Sequence, residues 1–86
     1  MLVENGIYSR CDKEDIIDGV VFIPKGVTKI GKFVFQKRDD VYKVILPEEI
    51  NEIGYFSFYE CKNLTEINLP DSIKKLVLVL FRIAKS

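Results

Sequence analysis

Apolar and polar positions along this chain recur with a fixed period. Pro24, Pro47 and Pro70 lie 23 residues apart, and the segments that begin at Pro24 and Pro47 both read P-x-x-(V/I)-x-x-I-G-x-F-x-F. A lead-in of alternating apolar residues, (V/L)-x-x-(V/I)-x-L-P, precedes Pro47 and Pro70. A period between about 20 and 50 residues is typical of solenoids, in which each repeat stacks on its neighbour. The pattern therefore predicts a repeat scaffold.

Each lead-in is expected to form a short strand, as at residues 43–46. Successive strand residues point to opposite sides. Val44 and Leu46 should therefore face one way, and Lys43 and Ile45 the other. Proline cannot donate a hydrogen bond to a strand ladder, so each strand should end at its proline. The equivalent strands are expected at residues 20–23 and 66–69.

The remainder of each repeat should complete one coil around a shared core. Gly31 and Gly54 are expected at tight bends, where a side chain would collide or where a positive φ is needed. Residues 36–40 and 59–63 are predicted to form polar return turns. The inward side chains are expected to be Val27, Ile30 and Phe35 in the first copy and Ile50, Ile53 and Phe58 in the second.

Residues 1–19 are predicted to form an N-terminal β cap, because the first unit of a stacked array has no neighbour to cover its open face. Asn5-Gly6 between apolar residues is a strong β-hairpin pattern, and Asp18-Gly19 is a second turn pattern. Residues 20–86 are predicted to form the repeat array. Its coils are expected at residues 24–46 and 47–69, with an irregular third at residues 70–86.

The second copy is the most complete. Its recurring positions are Pro47, Ile50, Ile53, Gly54, Phe58, Cys61 and Leu64, followed by the lead-in Ile67-x-Leu69-Pro70. Together they read I-x-L-P-x-x-I-x-x-I-G-x-x-x-F-x-x-C-x-x-L, which resembles the bacterial BspA-like leucine-rich repeat over residues 20–76. The resemblance implies a mainly β fold, a short leucine-rich-repeat solenoid with an N-terminal β cap. Larger members of that family are often surface adhesins with secretion signals.

Two positions depart from this pattern. Arg38 stands where the repeat has cysteine, which places a polar group at a core-facing position and predicts local loosening. Cys61, which keeps the pattern, is expected to be a small buried hydrophobic residue. Val77 stands where the repeat has glycine, and valine resists a positive φ. The chain after residue 76 is therefore expected to leave the path of the earlier coils.

Composition narrows the possible functions. The 86 residues include 13 basic and 13 acidic side chains, whereas nucleic-acid binders carry a clustered positive field. We therefore expect no direct nucleic-acid binding. The chain has no histidine, the commonest general base and metal ligand, and no cysteine pair with zinc-site spacing. We expect no enzyme activity, no cofactor and no bound metal.

The sequence also gives expectations about location. The N-terminus lacks a basic segment followed by an apolar stretch, so no secretory signal peptide is predicted. The longest apolar run is much shorter than the roughly 20 residues that cross a bilayer. A cytoplasmic location without membrane association is therefore expected.

The outward positions of the lead-in strands are candidates for protein recognition. On stacked coils these positions form a column on the sheet surface. Phe22 and Ile45 would then be neighbouring exposed apolar groups, which is where binding surfaces tend to lie. The alternative is that the N-terminal cap folds over Phe22. The column and its flanking positions comprise Phe22, Ile45, Asn68, Val20, Lys43 and Glu66.

A second group of candidates is aromatic. Tyr55 and Tyr59 are possible contact residues, because aromatic side chains are enriched in interface hot spots. Phe33 and Phe56 recur in register and are expected to fill the space between coils. The partner of either group would be a protein whose identity the sequence does not give.

Residues 76–81 are six consecutive apolar residues. On a strand with one core, alternate residues of this run would face water. A terminal coil also presents an unpaired strand edge, which proteins generally cover. We therefore predict a two-fold homodimer with contacts from Leu76, Leu78 and Leu80. The alternative is that the run folds back over its own last coil.

The expected function is a non-catalytic protein-binding module that uses a leucine-rich-repeat surface. One alternative is a small cytosolic inhibitor of the phage or mobile-element type, which blocks a host-defence nuclease such as a CRISPR effector. The small size and the missing secretion pattern motivate that alternative. Another is a truncated fragment of a larger repeat adhesin, because the pattern is lost after residue 76.

Overall fold

The computed structural model describes residues 1–54, 56–70 and 73. These residues form eight short strands and a 3-10 turn at Lys13–Asp15, and no α-helix occurs among them. The prediction of a mainly β fold is confirmed. The strands are β1 (Leu2–Glu4), β2 (Ile7–Arg10), β3 (Ile16–Ile17), β4 (Val20–Phe22), β5 (Lys29–Ile30), β6 (Lys43–Ile45), β7 (Glu52–Ile53) and β8 (Glu66–Ile67).

The strands form two four-stranded sheets. The first has the order β1-β2-β5-β7 and the second the order β3-β4-β6-β8. Each sheet begins with an antiparallel hairpin and continues with parallel pairs. In the first sheet Lys29 pairs with Glu52; in the second, Val20 pairs with Lys43, which pairs with Glu66. These partners are 23 residues apart, so the sequence period is the register in which the repeats stack.

Both N-terminal hairpins turn at the residue pairs that the sequence indicates. Asn5 and Gly6 connect β1 to β2 with φ angles of 53° and 77°, and Asp18 and Gly19 connect β3 to β4 with φ angles of 51° and 80°. Positive φ at both central positions is the type I′ geometry, which matches the twist of the flanking strands. β2 then pairs in parallel with β5, so backbone hydrogen bonds join the N-terminal segment to the first repeat.

The inward side chains of both sheets form one hydrophobic cluster. The six inward positions predicted from the two copies are all buried, as are Val44 and Leu46. At the centre Phe35 and Phe58 stack with ring centroids 5.2 Å apart and planes 2° from parallel. Tyr8 also stacks on Phe35, at 5.9 Å. The N-terminal segment therefore contributes a buried ring to the core, which the sequence pattern did not indicate.

All three lead-in strands end earlier than expected. β4 ends at Phe22, β6 at Ile45 and β8 at Ile67, rather than at residues 23, 46 and 69. Between β6 and β8 the side chain of Asn68 takes the place of backbone pairing. The Leu46 N–H donates to Asn68 Oδ1 at 2.7 Å, and Asn68 Nδ2 donates to the Leu46 carbonyl at 3.1 Å.

At Gly54 the backbones of the two copies approach each other closely. Neither Gly31 nor Gly54 has a positive φ, so collision explains the glycine at position 54 only, and the expectation for Gly31 is wrong. A Cβ atom on Gly54 would lie 2.7 Å from the Lys32 backbone nitrogen and 2.8 Å from the Gly31 carbonyl carbon. A Cβ atom on Gly31 would have its nearest neighbours at an ordinary 3.4 Å. Val77, the matching position in the third copy, lies outside the described residues.

Arg38 is held by hydrogen bonds instead of being buried in the core. Its Nη2 donates to the Cys11 carbonyl at 2.6 Å, and its Nη1 lies 3.6 Å from an Asp40 carboxylate oxygen. The Cys61 thiol in turn donates to the Arg38 carbonyl at 3.3 Å. Arg38 therefore links the N-terminal segment to both copies of the repeat.

Candidate binding surfaces

The outer face of the second sheet carries the apolar candidates. Ile17 is 62% exposed and Phe22 is 64% exposed, so the N-terminal segment does not cover Phe22. Phe22 pairs directly with Ile45, which is half-buried. The result is an apolar strip at the end of the sheet nearest the N-terminal hairpins. We call this surface the outer sheet face, and its residues are Ile17, Val20, Phe22, Lys43, Ile45 and Glu66.

The charged side chains of the outer sheet face pair with each other. Lys43 Nζ lies 3.0 Å from a Glu66 carboxylate oxygen, across the β6–β8 pair. The same arrangement occurs in the first sheet, where Lys29 Nζ lies 3.0 Å from Glu52. Exposed pairs of this kind contribute about 0–1 kcal/mol to stability. Because Lys43 and Glu66 pair with each other, the charges that β6 and β8 place next to the apolar strip are both paired.

Asn68 follows Glu66 in the predicted column but has a structural role. Both polar atoms of its amide bind the Leu46 backbone, as described above. They are therefore already engaged before any partner binds. Its predicted role in partner binding stays a prediction.

The turns at residues 32–37 and 56–60, which begin earlier than the predicted return turns, present a second aromatic surface. Phe33 and Phe56 stack with ring centroids 5.5 Å apart, and Tyr59 meets Phe56 edge-on at 5.4 Å. Phe33 is 49% and Phe56 41% exposed, so these rings pack against each other between the two copies but are not buried in the core. The physical reason is the backbone: both have a positive φ, 61° and 55°, which turns the side chain away from the core.

Several predicted contact residues lie outside the described part of the chain. They are Tyr55, Leu76, Leu78 and Leu80. Their predicted roles, in partner binding for Tyr55 and in a homodimer for the leucines, stay predictions.

Both cysteines are buried and neither is in a disulfide. The expectation that Cys61 is a small buried residue is confirmed. Burial raises the pKa of the Cys61 thiol to about 12, and it also raises the pKa of the Cys11 thiol. Nucleophilic cysteines need a depressed thiol pKa and access to solvent. These two thiols therefore act as packing groups near neutral pH.

The described residues offer little else for chemistry. They contain no group of three or more His, Cys, Asp or Glu side chains that could hold a metal ion, and no helix long and apolar enough to cross a membrane. A cleft of about 180 Å³ lies between the segments around Pro47 and Pro70. It is smaller than the roughly 300 Å³ at which small-molecule sites begin. Its lining residues are Leu46, Pro47, Glu48, Asn68, Leu69 and Pro70.

The buried thiols predict a loss of stability at alkaline pH. A cysteine in the unfolded chain ionises near about pH 8.5, whereas Cys61 in the folded chain stays protonated up to about 12. The unfolded chain therefore releases a proton that the folded chain retains. The contribution of the protonated Cys61 thiol to the free energy of unfolding is fully present below about pH 8.5 and is lost as the pH rises above that value.

Urea unfolding between about pH 7 and 10, a range that brackets the unfolded thiol pKa, tests this expectation. The free energy of unfolding should fall toward the alkaline end in the wild type. In Cys61→Ala the free energy of unfolding, taken relative to that variant's own value at neutral pH, should fall less than it does in the wild type. Equal falls in the two proteins would show that the Cys61 thiol does not contribute.

Comparison with known proteins adds one finding. The chain is similar to the family model described as the BspA type leucine-rich repeat region, six copies, and the match covers residues 4–85. It begins within the N-terminal segment, where β2 pairs in parallel with β5. No curated protein and no solved structure matches the chain.

Proposed function

Because the chain belongs to the BspA-type leucine-rich repeat family, we propose that it is a non-catalytic protein-binding module that binds its partner through the outer sheet face. The observation that supports this is the apolar strip of Ile17 and Phe22, which is largely exposed beside Ile45. Neighbouring exposed apolar groups on a sheet are a common feature of interaction sites. The inhibitor and adhesin-fragment alternatives gain no support from the family match.

The geometry of the strip suits a partner anchored on Phe22. Burying a phenylalanine side chain that is exposed in the free protein contributes about 1.5–3 kcal/mol. β4 is hydrogen-bonded on both sides, to β3 and β6, so little further ordering of the backbone is needed on binding. The Lys43–Glu66 pair at the edge would lie at the polar rim of such an interface.

A double variant tests the outer sheet face directly. Partners are first captured from the source cell, and the dissociation constant of each captured protein is then measured. We expect at least one partner to bind Phe22→Ser/Ile45→Ser at least about tenfold more weakly than it binds the wild type. Leu2→Ser is the matched control, since it removes an exposed apolar residue from the first sheet. Equal binding of the double variant and the wild type would overturn the assignment of this face.

We also propose self-association through residues 76–81, on the strength of their uninterrupted apolar sequence. Light scattering should show a dimer for the wild type. Leu78→Lys/Leu80→Lys should be monomeric, because two charges cannot be buried unpaired at a two-fold contact. A wild-type protein that stays monomeric at high micromolar concentration would contradict the dimer.

A further inference from the structure

Asn5 and Gly6 form the turn that connects the N-terminal hairpin to the first repeat. The Gly6 carbonyl accepts hydrogen bonds from the Thr28 N–H at 2.8 Å and the Lys29 N–H at 3.2 Å. The Thr28 hydroxyl lies 3.4 Å from the same oxygen. Three donors of the first repeat therefore meet at one carbonyl of the turn. A change in the backbone at Asn5 would move this carbonyl relative to the start of β5.

The Asn5 side chain has the features of a reactive amide. It is exposed, and no hydrogen bond holds its amide within the described part of the chain. Gly6 has no Cβ atom, so its backbone nitrogen is open to approach from Asn5 Cγ. Asparagine is among the thermolabile residue types. A following glycine removes the steric hindrance to ring closure between the side chain and the next backbone nitrogen.

The other asparagines of the chain lack this combination, since none of Asn51, Asn63 and Asn68 is followed by glycine. Asn63 Nδ2 donates to the Asp39 carbonyl at 2.7 Å, and both polar atoms of the Asn68 amide bind the Leu46 backbone. Asn51 is exposed, but the next residue is a glutamate, whose side chain hinders access to its backbone nitrogen. The chemistry is therefore expected at the N-terminal turn.

The strand before the turn can open without unfolding the core. Attack on Asn5 Cγ requires its backbone to leave the left-handed conformation, in which φ is 53°. β1 is an edge strand of three exposed residues, and its register against β2 is irregular. The Met1 ammonium pairs with Asp12 and Asp15, but solvent-accessible pairs of this kind contribute little to stability. Segments with few buried contacts open locally at a low cost in free energy.

The second hairpin turn, Asp18-Gly19, has the same geometry but not the same chemistry. Its glycine carbonyl likewise accepts from the first repeat, from the Tyr42 N–H at 2.7 Å and the Lys43 N–H at 3.1 Å. Asp18 has no amide to release as ammonia, and an ionised carboxylate is a poor electrophile. The Tyr42 ring also covers this turn, because a Cβ atom on Gly19 would lie 2.6 Å from Tyr42 Cδ1.

We propose that Asn5 is a site of spontaneous deamidation and isoaspartate formation, and that its conversion loosens the junction between the N-terminal hairpin and the first repeat. The Gly6 nitrogen, after losing its proton to hydroxide, attacks Asn5 Cγ and forms a C–N bond. The Cγ–Nδ2 bond then breaks, and ammonia leaves with a proton taken from water. Water opens the resulting cyclic imide at Cγ to give aspartate, or at the main-chain carbonyl to give isoaspartate. The net reaction consumes water and releases ammonia, without oxidation or reduction.

Isoaspartate changes the turn because its main chain runs through Cβ and Cγ and is longer by one carbon atom. A two-residue turn of this type fits the flanking strands only with its normal backbone length. The Gly6 carbonyl can then no longer meet Thr28 and Lys29 while β1 and β2 stay in register. The parallel pairing of β2 with β5 therefore loses the contacts that begin it.

Incubation of the folded protein at alkaline pH in oxygen-labelled water, followed by peptide mass spectrometry, tests the reaction. The label is expected at Asn5 before it appears at Asn51, Asn63 or Asn68, and its rate should rise with hydroxide concentration. Asn5→Gly keeps a residue that accepts a positive φ and removes the amide, so the label at this position should be lost. Labelling no faster at Asn5 than at Asn51, or labelling at Asn5 only in urea, would overturn the proposal.

Thermal unfolding and amide exchange after return to neutral pH test the structural consequence. The aged wild type should have a lower melting temperature than the fresh protein, and the Thr28 and Lys29 amides should exchange faster. Asn5→Gly, aged in the same way, should keep the melting temperature and exchange rates of its own fresh sample. An aged wild type that contains isoaspartate at position 5 but keeps its melting temperature and amide protection would overturn the proposed loosening.

Discussion

Phe58→Ala is expected to lower the free energy of unfolding by about 3–5 kcal/mol, the usual cost of emptying a buried aromatic position. The ring is fully buried and stacks almost parallel to Phe35 at 5.2 Å. Phe35 in turn stacks on Tyr8, so the substitution removes one end of a three-ring stack. Small domains have total stabilities near the low end of about 5–15 kcal/mol. The substitution is therefore expected to remove most of the free energy of unfolding.

Phe56→Ala is the matched control for this substitution. It removes the same side chain two residues earlier, where the ring is half exposed and the backbone φ is positive. Its effect should stay within about 1 kcal/mol, as for surface positions generally. Thermal unfolding should show a fall of more than about 10 °C for Phe58→Ala in a domain of this size. A Phe58→Ala protein that melts within a few degrees of the wild type would mean that the ring is not part of the core.

Gly54→Ala is expected to destabilise the protein by about 1–3 kcal/mol, or by more if the copies cannot separate. The added Cβ atom would lie 2.7 Å from the Lys32 nitrogen and 2.8 Å from the Gly31 carbonyl carbon. Both are backbone atoms, which cannot rotate aside as a flexible side chain would. The clash also falls where the Gly54 N–H donates to the Ile30 carbonyl at 2.8 Å, so relief requires the two copies to move apart.

Gly31→Ala distinguishes this collision from a general need for glycine at the bend. Its Cβ atom would have its closest neighbours at 3.4 Å, an ordinary contact, and its φ is not positive. Because alanine also lowers the entropy of the unfolded chain, the variant should be neutral or stabilised by up to about 1 kcal/mol. Urea unfolding of both variants gives the comparison. Equal destabilisation by the two substitutions would contradict the steric explanation.

The features that the sequence predicts correctly are those that repeat. Phe35 and Phe58 recur at the same position of each copy, and the period alone places them in the shared core. The 23-residue spacing also gives the register of Lys43 against Glu66, because stacked copies align equivalent positions. The Asn5-Gly6 hairpin follows from local turn geometry.

The features that the sequence does not predict are of two kinds. Some depend on contacts that occur only once, and others on backbone angles that interrupt the alternation of a strand. Tyr8 belongs to no recognisable copy, and its burial requires the pairing of β2 with β5. Asn68 looks like an outward strand residue, yet its amide replaces the backbone at Leu46. Phe33 and Phe35 are the same residue type in the F-x-F pattern. A positive φ at Phe33, which the residue type does not predict, turns its side chain toward solvent.

Pairing between positions 23 residues apart also has consequences for how quickly the chain folds and where it opens. The entropy cost of closing a loop rises slowly with its length, and here every parallel junction closes a loop of similar size. No single long-range contact has to form first, so folding can start at any of the parallel junctions and spread to its neighbour. The interior strands β2, β5, β4 and β6 each have a hydrogen-bonded strand on both sides, whereas β1 and β3 lie at edges. Amide hydrogens of the four interior strands should therefore be the last to exchange with solvent.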